Sequence, residues 1–590
     1  MACWRNLPKT KNTLMTDKPK LELTWIGKEN RPRLEPRILI EDKSLSYGAE
    51  ALLPAQGDLL AEPPSEVFQD NLLIHGDNLL ALKALEARYS GKVKCVYIDP
   101  PFNTGEAFDN YDDGVEHSLW LTLMRDRIEY IHRLLSVDGT LVVHIDDNEL
   151  AYLIVVLDEI FGRKNRMSIA TFKQGAATGH KSINPGLVTT TNYIIIYAKN
   201  KANWSPNKVF TARERDSRYA QYIENFDEPY SQWRRCPLAQ AFAGSMGVAP
   251  RDLKKQLGSS YEEKLYEFVV ENSHRVVRTA RPDYKSVGES VRGVIDSSKE
   301  NPEAVFLLNR NNHSDMYFQN GERWLFYKEK IKVIDGQSVS GEPLTNLWDD
   351  LLSNNLHNEG GVAFPKGKKP ESLIKRVLEL CTLPGDIVLD SFGGSGTTGA
   401  VAHKMGRQWI MIELGEHCYT HIVPRLQKVV EGSDQGGISK AVNWRGGGGF
   451  RYLRLAPSLL KKDQWGNWVI NPAYNAEMLA EAMCKHMGFE YAPSQDHFWM
   501  HGHSSESDFI YVTTGSLSHD QLYRISDEVG TERTLLICCK AFMADTSTLP
   551  NLTLKKIPRA ILGKCEWDHD DYSFSINLTA ESDDQALEDE

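Results

Sequence analysis

The stretch Val388-Leu389-Asp390-Ser391-Phe392-Gly393-Gly394-Ser395-Gly396-Thr397-Thr398-Gly399 constrains the fold of this chain more than any other. It predicts a strand end, a glycine turn and a helix start in immediate succession, the unit of an open α/β sheet. Gly393, Gly394 and Gly396 allow a tight turn and close backbone approach. Thr397 opens a helix whose first N–H groups favour an anionic ligand group. Gly394, Gly396 and Gly399 match the spacing G-x-G-x-x-G. Glu413 follows about 20 residues on, after a strand predicted for Trp409–Ile412, where an acid grips ribose hydroxyls. No lysine stands where a Walker loop needs one. By itself the pattern fits a dinucleotide, another nucleoside cofactor, or a turn with no ligand.

A second block, Asp99-Pro100-Pro101-Phe102, ends a strand predicted for Val93–Ile98. Two prolines fix the backbone and leave carbonyls without a ladder partner, so a rigid turn is one reading. Its place at a strand's C-terminal end favours another, because ligands in open α/β sheets gather there. The residue types suit chemistry on the amino group of an aromatic base. Such a nitrogen is a poor nucleophile, its lone pair being delocalised into the ring. The Asp99 carboxylate and the Pro100 carbonyl can accept its two hydrogens and aim the lone pair at a methyl sulfonium. Phe102 can stack on a base turned out of the helix. No Pro-Cys dipeptide is present to attack a pyrimidine ring carbon.

With both blocks in view, the chain resembles the DNA amino-methyltransferases in which the catalytic block precedes the cofactor block. Val96 to Gly105 looks most like the modification subunits of type III restriction–modification systems. The resemblance covers residues 70–200 and 360–430. It implies a Rossmann-like domain, S-adenosylmethionine as cofactor, and double-stranded DNA as substrate. Asp99, Pro100, Pro101 and Phe102 would be catalytic. Asp77, within Asn71–Leu80, looks like the acid that contacts the cofactor adenine. Lys369-Pro370, with Leu373 and Ile374, resembles the helix that closes over the methionine end. Asp390, Phe392, Gly393, Gly394, Ser395, Gly396 and Thr397 look like the cofactor loop, and Glu413 like the ribose acid. Asp rather than Ser before Pro-Pro favours adenine N6 over cytosine N4. Phe102 departs from the family's frequent Tyr, which keeps stacking but loses a hydroxyl. Relatives imply a helicase–nuclease or other defence-system partner, and dimers. A specificity subunit active only with a partner, and a dinucleotide oxidoreductase, are the competing readings; the second leaves Asp99–Phe102 without a purpose.

The expected architecture is α/β: a Rossmann-like methyltransferase domain (71–200 and 350–430), an inserted target-recognition region (201–349) and a small C-terminal α/β appendage (456–590). Residues 1–70 read as an irregular arm, and glycine-rich 431–455 as a linker. Helices are predicted at Asn78–Tyr89, Ser118–Leu135, Glu149–Phe161 and His519–Val529. Strands are predicted at Thr140–Ile145, Thr191–Tyr197, Phe509–Thr513 and Leu535–Cys539, and a hairpin near Arg323–Ile334. Arg275, Arg278 and Arg281 read equally as phosphate contacts or as a solvated helix face. The net charge of −12 gives no support for a DNA partner. No apolar run is long enough to span a membrane, and no apolar signal core opens the chain, so a cytoplasmic protein is expected. Nine cysteines without a CxxC pair, and histidines in no zinc pattern, predict neither disulfides nor a metal. Asp147 or Asn148 reads as the cap of the helix Glu149–Phe161, and a capped helix start is the better reading of Asp146 and Asp147 than a metal site.

Overall fold

Short runs of buried aliphatic residues alternate with leucine-rich helices, and they assemble into one large sheet. The computed structural model describes residues 22–48, 71–102, 117–175, 187–311, 313–351, 356–364, 367–543 and 548–572. The chain divides into two units, Met1–Asn207 with Asn346–Glu590, and Lys208–Thr345.

In the first unit the sheet strands are β1 (Leu39–Glu41), β2 (Leu72–His75), β3 (Val93–Ile98), β4 (Leu135–Ile145), β5 (Arg166–Lys173), β6 (Thr191–Ala198), β7 (Leu347–Trp348), β8 (Ile387–Asp390), β9 (Gln408–Glu413) and β10 (Gly449–Leu455). Their order is β1–β10–β2–β9–β8–β3–β4–β6–β5–β7, and Tyr47–Gly48 also pairs with β10. From β10 to β4 the neighbours are parallel, while β6 runs antiparallel to both β4 and β5. β3 and β8 are therefore adjacent, with Leu389 opposite Val96, although nearly 300 residues separate them in sequence. Their C-terminal ends carry the two blocks to the same edge of the sheet.

The helices are α1 (Asn78–Tyr89), α2 (His117–Leu134), α3 (Leu150–Leu157), α4 (Glu371–Cys381), α5 (Thr397–Lys404) and α6 (Val423–Glu431). They form two groups: α2 packs on α1 and α3, and α5 on α4 and α6. The stripe Trp120, Met124, Ile128 and Ile131 of α2 is fully buried with Leu82, Leu85, Val96, Ile98, Leu141 and Val143. Burying each such side chain contributes about 1.5–3 kcal/mol.

Several expectations need correcting. Residues 431–455 are not a linker. Gly432 (φ +73°) ends α6, and a Cβ there would collide with the Arg445 backbone, so this glycine serves close packing rather than flexibility. Beyond it, Ile438 N–H donates to Glu371 (3.0 Å), and β10 sits inside the sheet. The described part of 456–590 belongs to the first unit, not to a domain of its own. Arg37 and Glu35, just ahead of β1, hold it: Arg37 donates to the Ala456 carbonyl (2.7 Å), and Glu35 accepts from Ser458 Oγ and Leu459 N–H (both 2.8 Å). This part holds the parallel strands Asp508–Val512, Thr534–Cys539 and Leu552–Lys556 and the helix His519–Val529. The separate unit runs 208–345 rather than 201–349: Asn207 Nδ2 donates to the Glu379 and Thr382 carbonyls (2.8 and 3.0 Å), and β7 pairs with β5. The third helix starts at Leu150 with Glu149 at its cap position and no side-chain cap, so neither Asp147 nor Asn148 caps it; Asn148 instead donates from N–H (3.0 Å) and Nδ2 (2.7 Å) to Asp146.

The second unit has a six-stranded antiparallel sheet, in the order Arg235–Pro237, Gln221–Ile223, Val276–Ala280, Glu322–Phe326, Met316–Gln319, Phe306–Leu308. The hairpin expected near Arg323–Ile334 is replaced by two. One turns at Asn320-Gly321 and the other, joining Ile331–Ile334 to Gln337–Pro343, at Asp335-Gly336. All four turn residues have positive φ (48°, 75°, 51° and 75°), as tight hairpin turns require.

Candidate active site

β3 delivers Asp99 to the edge, and the two prolines stop it from continuing as a strand. Trp120 Nε1 on α2 donates to the Pro101 carbonyl (2.7 Å), which fixes the turn. Asp99 Oδ2 is ion-paired to Lys369 Nζ at 2.6 Å, whereas Oδ1 is buried with no hydrogen-bond partner among the described residues. Burial drives the Asp99 carboxyl above the usual carboxylate range, and the Lys369 charge and hydrogen bond hold it back. The Phe102 ring centroid lies 5.0 Å from Lys369 Nζ and 5.8 Å from the His144 ring.

His144, on β4, is completely buried beneath this pair. Nδ1 lies 3.0 Å from the Tyr97 hydroxyl and 4.0 Å from Asp99 Oδ1, and Nε2 lies 3.2 Å from Asn192 Nδ2. Burial, and secondarily the Lys369 charge, push its pKa well below the ordinary value, so the ring is neutral. The sequence reading missed His144 and Tyr97. The signal was there: a lone histidine inside the apolar run Leu141–Ile145 needs partners when buried.

At the end of β8, Asp390 Oδ1 accepts from Phe392 N–H (2.9 Å) and Oδ2 from Thr398 Oγ1 (2.5 Å), folding the turn onto the start of α5. Gly394 (φ +51°) and Gly396 (φ +77°) take the left-handed conformation. Gly393 N–H bonds the Ile412 carbonyl (2.9 Å), which seats the turn on β9. Ser391 Oγ is buried there without a hydrogen-bond partner among the described residues. Burial raises the Asp390 pKa to about 8; Thr398 and the Phe392 amide oppose the rise, while the charges of Asp99 and Glu413 add to it. A ligand carrying positive charge would favour the ionised forms of these carboxyls.

Glu413 joins the turn to β9. Its oxygens accept from Gly394 N–H (2.7 Å) and Gly415 N–H (3.0 Å), and His417 Nε2 lies 3.1 Å away. Burial works against the charge, but His417 and the two amides outweigh it and hold the carboxyl below its ordinary range. Arg425 on α6 reaches the same turn, donating to the Ser395 carbonyl (3.1 Å) and Thr397 Oγ1 (2.8 Å).

Several expected contacts go elsewhere. Asp77 is buried and committed: Oδ1 caps α1 through Leu80 N–H (3.0 Å), and Oδ2 accepts from Arg127 (3.2 Å) and Tyr572 N–H (3.0 Å). The Phe392 side chain packs in the hydrophobic core, so only its backbone serves the turn. Lys369 lies on Asp99, and its carbonyl accepts from Thr397 Oγ1 (3.3 Å). In the second unit Arg275 pairs with Asp227 (2.5 Å), Arg281 with Glu322 (3.1 Å), and the Arg278 guanidinium lies 5.3 Å from the Tyr219 ring centroid. Arg278 is on a strand, not a helix, and the two-residue alternation of a strand gathers no residues three apart on one face. Asn103, Thr104 and Gly105 fall outside the described residues. Among the described residues the cysteines are all free and buried, and no cluster of His, Cys, Asp and Glu could hold a metal.

Comparison with known proteins supplies the context. The DNA methylase family matches residues 93–424, more than half of the chain. The probable type III restriction–modification enzyme HindVI Mod subunit of Haemophilus influenzae is 37% identical over 416 residues, covering 66% of this chain and 54% of that protein. The type III enzyme EcoP15I Mod subunit of Escherichia coli is 27% identical, covering 68% of this chain and 65% of its own. The type II methyltransferase M.EcaI of Enterobacter cloacae is 24% identical, covering 65% and 73%. The chain thus spans about half the length of the first relative and just under two thirds of the second. The matched region runs from the first residue of β3 past the end of β9, taking in both Asp99–Phe102 and the Asp390–Thr398 turn, and on that footing the chain belongs to the DNA methylase family.

Proposed function

We propose that this chain is a site-specific DNA methyltransferase that moves a methyl group from S-adenosylmethionine to N6 of an adenine turned out of double-stranded DNA. The observation that carries the reading is the pairing of β3 with β8, which sets Asp99–Phe102 beside the Asp390–Thr398 turn. The residues present fit the cofactor: a turn built on positive-φ glycines, a buried Ser391 hydroxyl with no partner among the described residues, and carboxyls whose ionised forms a sulfonium would favour. Asp390, the Gly393–Thr397 turn and Glu413 would hold it. When bound, the cofactor supplies an electrophilic methyl group on a cationic sulfur.

The protein's own part is alignment. Phe102 offers its face to the base, which compensates for lost stacking by about 1–3 kcal/mol. Asp99 Oδ1 and the Pro100 carbonyl accept the two amino hydrogens and turn the nitrogen lone pair out of the ring plane. Prepaid alignment and preorganised dipoles of this kind supply most of the acceleration in comparable reactions. The methylated nitrogen carries a positive charge until a proton leaves, and Asp99 is the acceptor at hand.

Residues 208–345 would read the target sequence. The Mod relatives motivate a helicase–nuclease partner and a role in restriction–modification or another phage defence, with the chain working as a dimer in the cytoplasm. Among the described residues no helix is long and apolar enough to cross a membrane. Cytosine N4 is the second reading, since the same acceptors suit either amino group; Asp at position 99 favours adenine. Methylation-sensitive long-read sequencing of a host expressing the chain tests both. N6-methyladenine at one recurring motif, absent with Asp99→Ala, is expected. N4-methylcytosine would move the assignment to the second reading, and no modified base would refute both.

A further inference from the structure

Asp99 uses its two oxygens unequally. Oδ2 is held by Lys369 at 2.6 Å; Oδ1 is buried with no hydrogen bond to any described residue. Lys369 is itself stiffly placed. Pro370 follows it directly, α4 begins one residue later, and the Lys369 carbonyl accepts from Thr397 at the start of α5. Its ammonium lies 5.0 Å from the centroid of Phe102, the ring on which the base would lie. One side chain therefore touches the acceptor carboxylate and the stacking platform, while its backbone touches the cofactor turn.

We propose that Lys369 is a positioning residue for the acceptor carboxylate: it holds Asp99 by Oδ2 and leaves Oδ1 to take a hydrogen from the amino group of the base. This inference rests on the proposed methyl transfer and adds a selection rule to it. A carboxylate is acceptor-only, whereas a protonated carboxyl also donates. Paired with an ammonium, Asp99 stays in the acceptor-only form, which matches the amino group of adenine or cytosine. A protonated Asp99 would instead suit the ring carbonyl of guanine or thymine, a base with no amino group at that position to methylate. Lys369 thus serves the choice of amino-bearing bases as well as the alignment of the nucleophile.

The titratable groups facing Asp99 come from four directions. Lys369 precedes α4, His144 is on β4, Tyr97 is two residues back on β3, and Asp390 ends the adjoining strand β8. His144 is neutral, Tyr97 is uncharged because burial and the nearby Asp99 and Asp390 carboxyls push its pKa well up, and Asp390 keeps its proton up to about pH 8. Lys369 is the one cation at hydrogen-bond distance from Asp99 among the described residues.

The test compares wild type with Lys369→Met, Lys369→Gln and Lys369→Arg in two readouts. The first is the pH profile of kcat/KM for methyl transfer to DNA. The second, on the protein without DNA or cofactor, is the titration of the Asp99 carboxyl by carbon NMR of labelled aspartate, assigned with Asp99→Asn. Removing an opposite charge at this distance moves a carboxylate by about 1–3 pH units. Met and Gln at 369 should raise the Asp99 midpoint and the acid limb by that amount, so that their deficit at pH 6.5 exceeds that at pH 9 by tenfold or more. Arg should restore both. An unmoved midpoint, or an equal loss at every pH, would overturn the proposal. A wild-type protein that transfers no methyl group, but whose midpoint still depends on Lys369, would refute the function and leave the ion pair standing.

Discussion

Glu371 is the hub of a buried charge cluster behind the glycine turn, and replacing it by Gln should unfold the protein more readily than any surface change. Its oxygens accept from Lys404 Nζ (3.0 and 2.8 Å), Arg425 (2.9 Å) and Ile438 N–H (3.0 Å). The side chains of Glu371, Lys404 and Arg425 are all 0% exposed, and Lys404 also pairs with Asp434 (2.7 Å). A glutamine keeps the shape, but its NH2 would meet only donors; Lys404 would keep only its Asp434 pair and Arg425 would lose its ion pair with Glu371. Breaking such a pair by removing one partner costs about 3–5 kcal/mol. Gly437 packs directly against the carboxylate, so water has no room to replace it. Arg425 also holds Ser395 and Thr397, so the loss should reach the turn and weaken cofactor binding by about tenfold, the equivalent of about 1.4 kcal/mol. Urea unfolding followed by tryptophan fluorescence gives the first quantity and calorimetry with S-adenosylmethionine the second. The control is Glu86→Gln at the more exposed Lys83–Glu86 pair (2.7 Å), which should cost no more than about 1 kcal/mol. If Glu371→Gln costs no more than this control, desolvation cancels the cluster's attraction and the turn is held some other way.

Asp99→Asn should lower kcat at least about 100-fold, because its amide donates where an acceptor is needed. Phe102→Ala should weaken binding of the turned-out base by about 1–3 kcal/mol, measured as DNA affinity, while Phe102→Tyr keeps it; equal affinities would remove Phe102 as the platform. Gly396→Ala forces a side chain into φ +77° with its Cβ 2.8 Å from Ile422, and should cost about 1–3 kcal/mol of stability together with cofactor affinity. Asp390 titrates near 8 when folded, against 3.8 as its ordinary value, so the folded form keeps its proton longer. Its contribution is complete below about pH 4 and is lost as pH rises toward 8, with a slope of up to about 1.4 kcal/mol per unit. Asp390→Asn should therefore gain on wild type between pH 5 and pH 8 in chemical unfolding; a constant difference would show that the carboxyl is charged throughout.

Periodic elements were legible in the sequence. The helix over Asn78–Tyr89 and the strand over Val93–Ile98 match the structure residue for residue, since each buries a regular apolar pattern. The strand Thr191–Ala198 was legible as a strand, but its antiparallel direction depends on partners that sequence periodicity does not name. Glycine misled at 432–449, where close packing and flexibility leave the same residue behind. In the second unit the Asn320-Gly321 and Asp335-Gly336 dipeptides were the true hairpin signals, and the apolar runs between them drew the expectation away. The two motif blocks were readable because each is local. Lys369 on Asp99 joins residues 270 positions apart, and Arg425 on Ser395 depends on how α6 lies against the turn. Such pairings exist only once the sheet has formed.

Mass spectrometry of nucleosides from DNA incubated with the purified chain and methyl-labelled S-adenosylmethionine tests the central claim most directly. The label should appear in N6-methyldeoxyadenosine and vanish with Asp99→Asn. Label in a ring-methylated cytosine, or equal label with the variant, would contradict the assignment of Asp99 and Phe102 to an amino nitrogen.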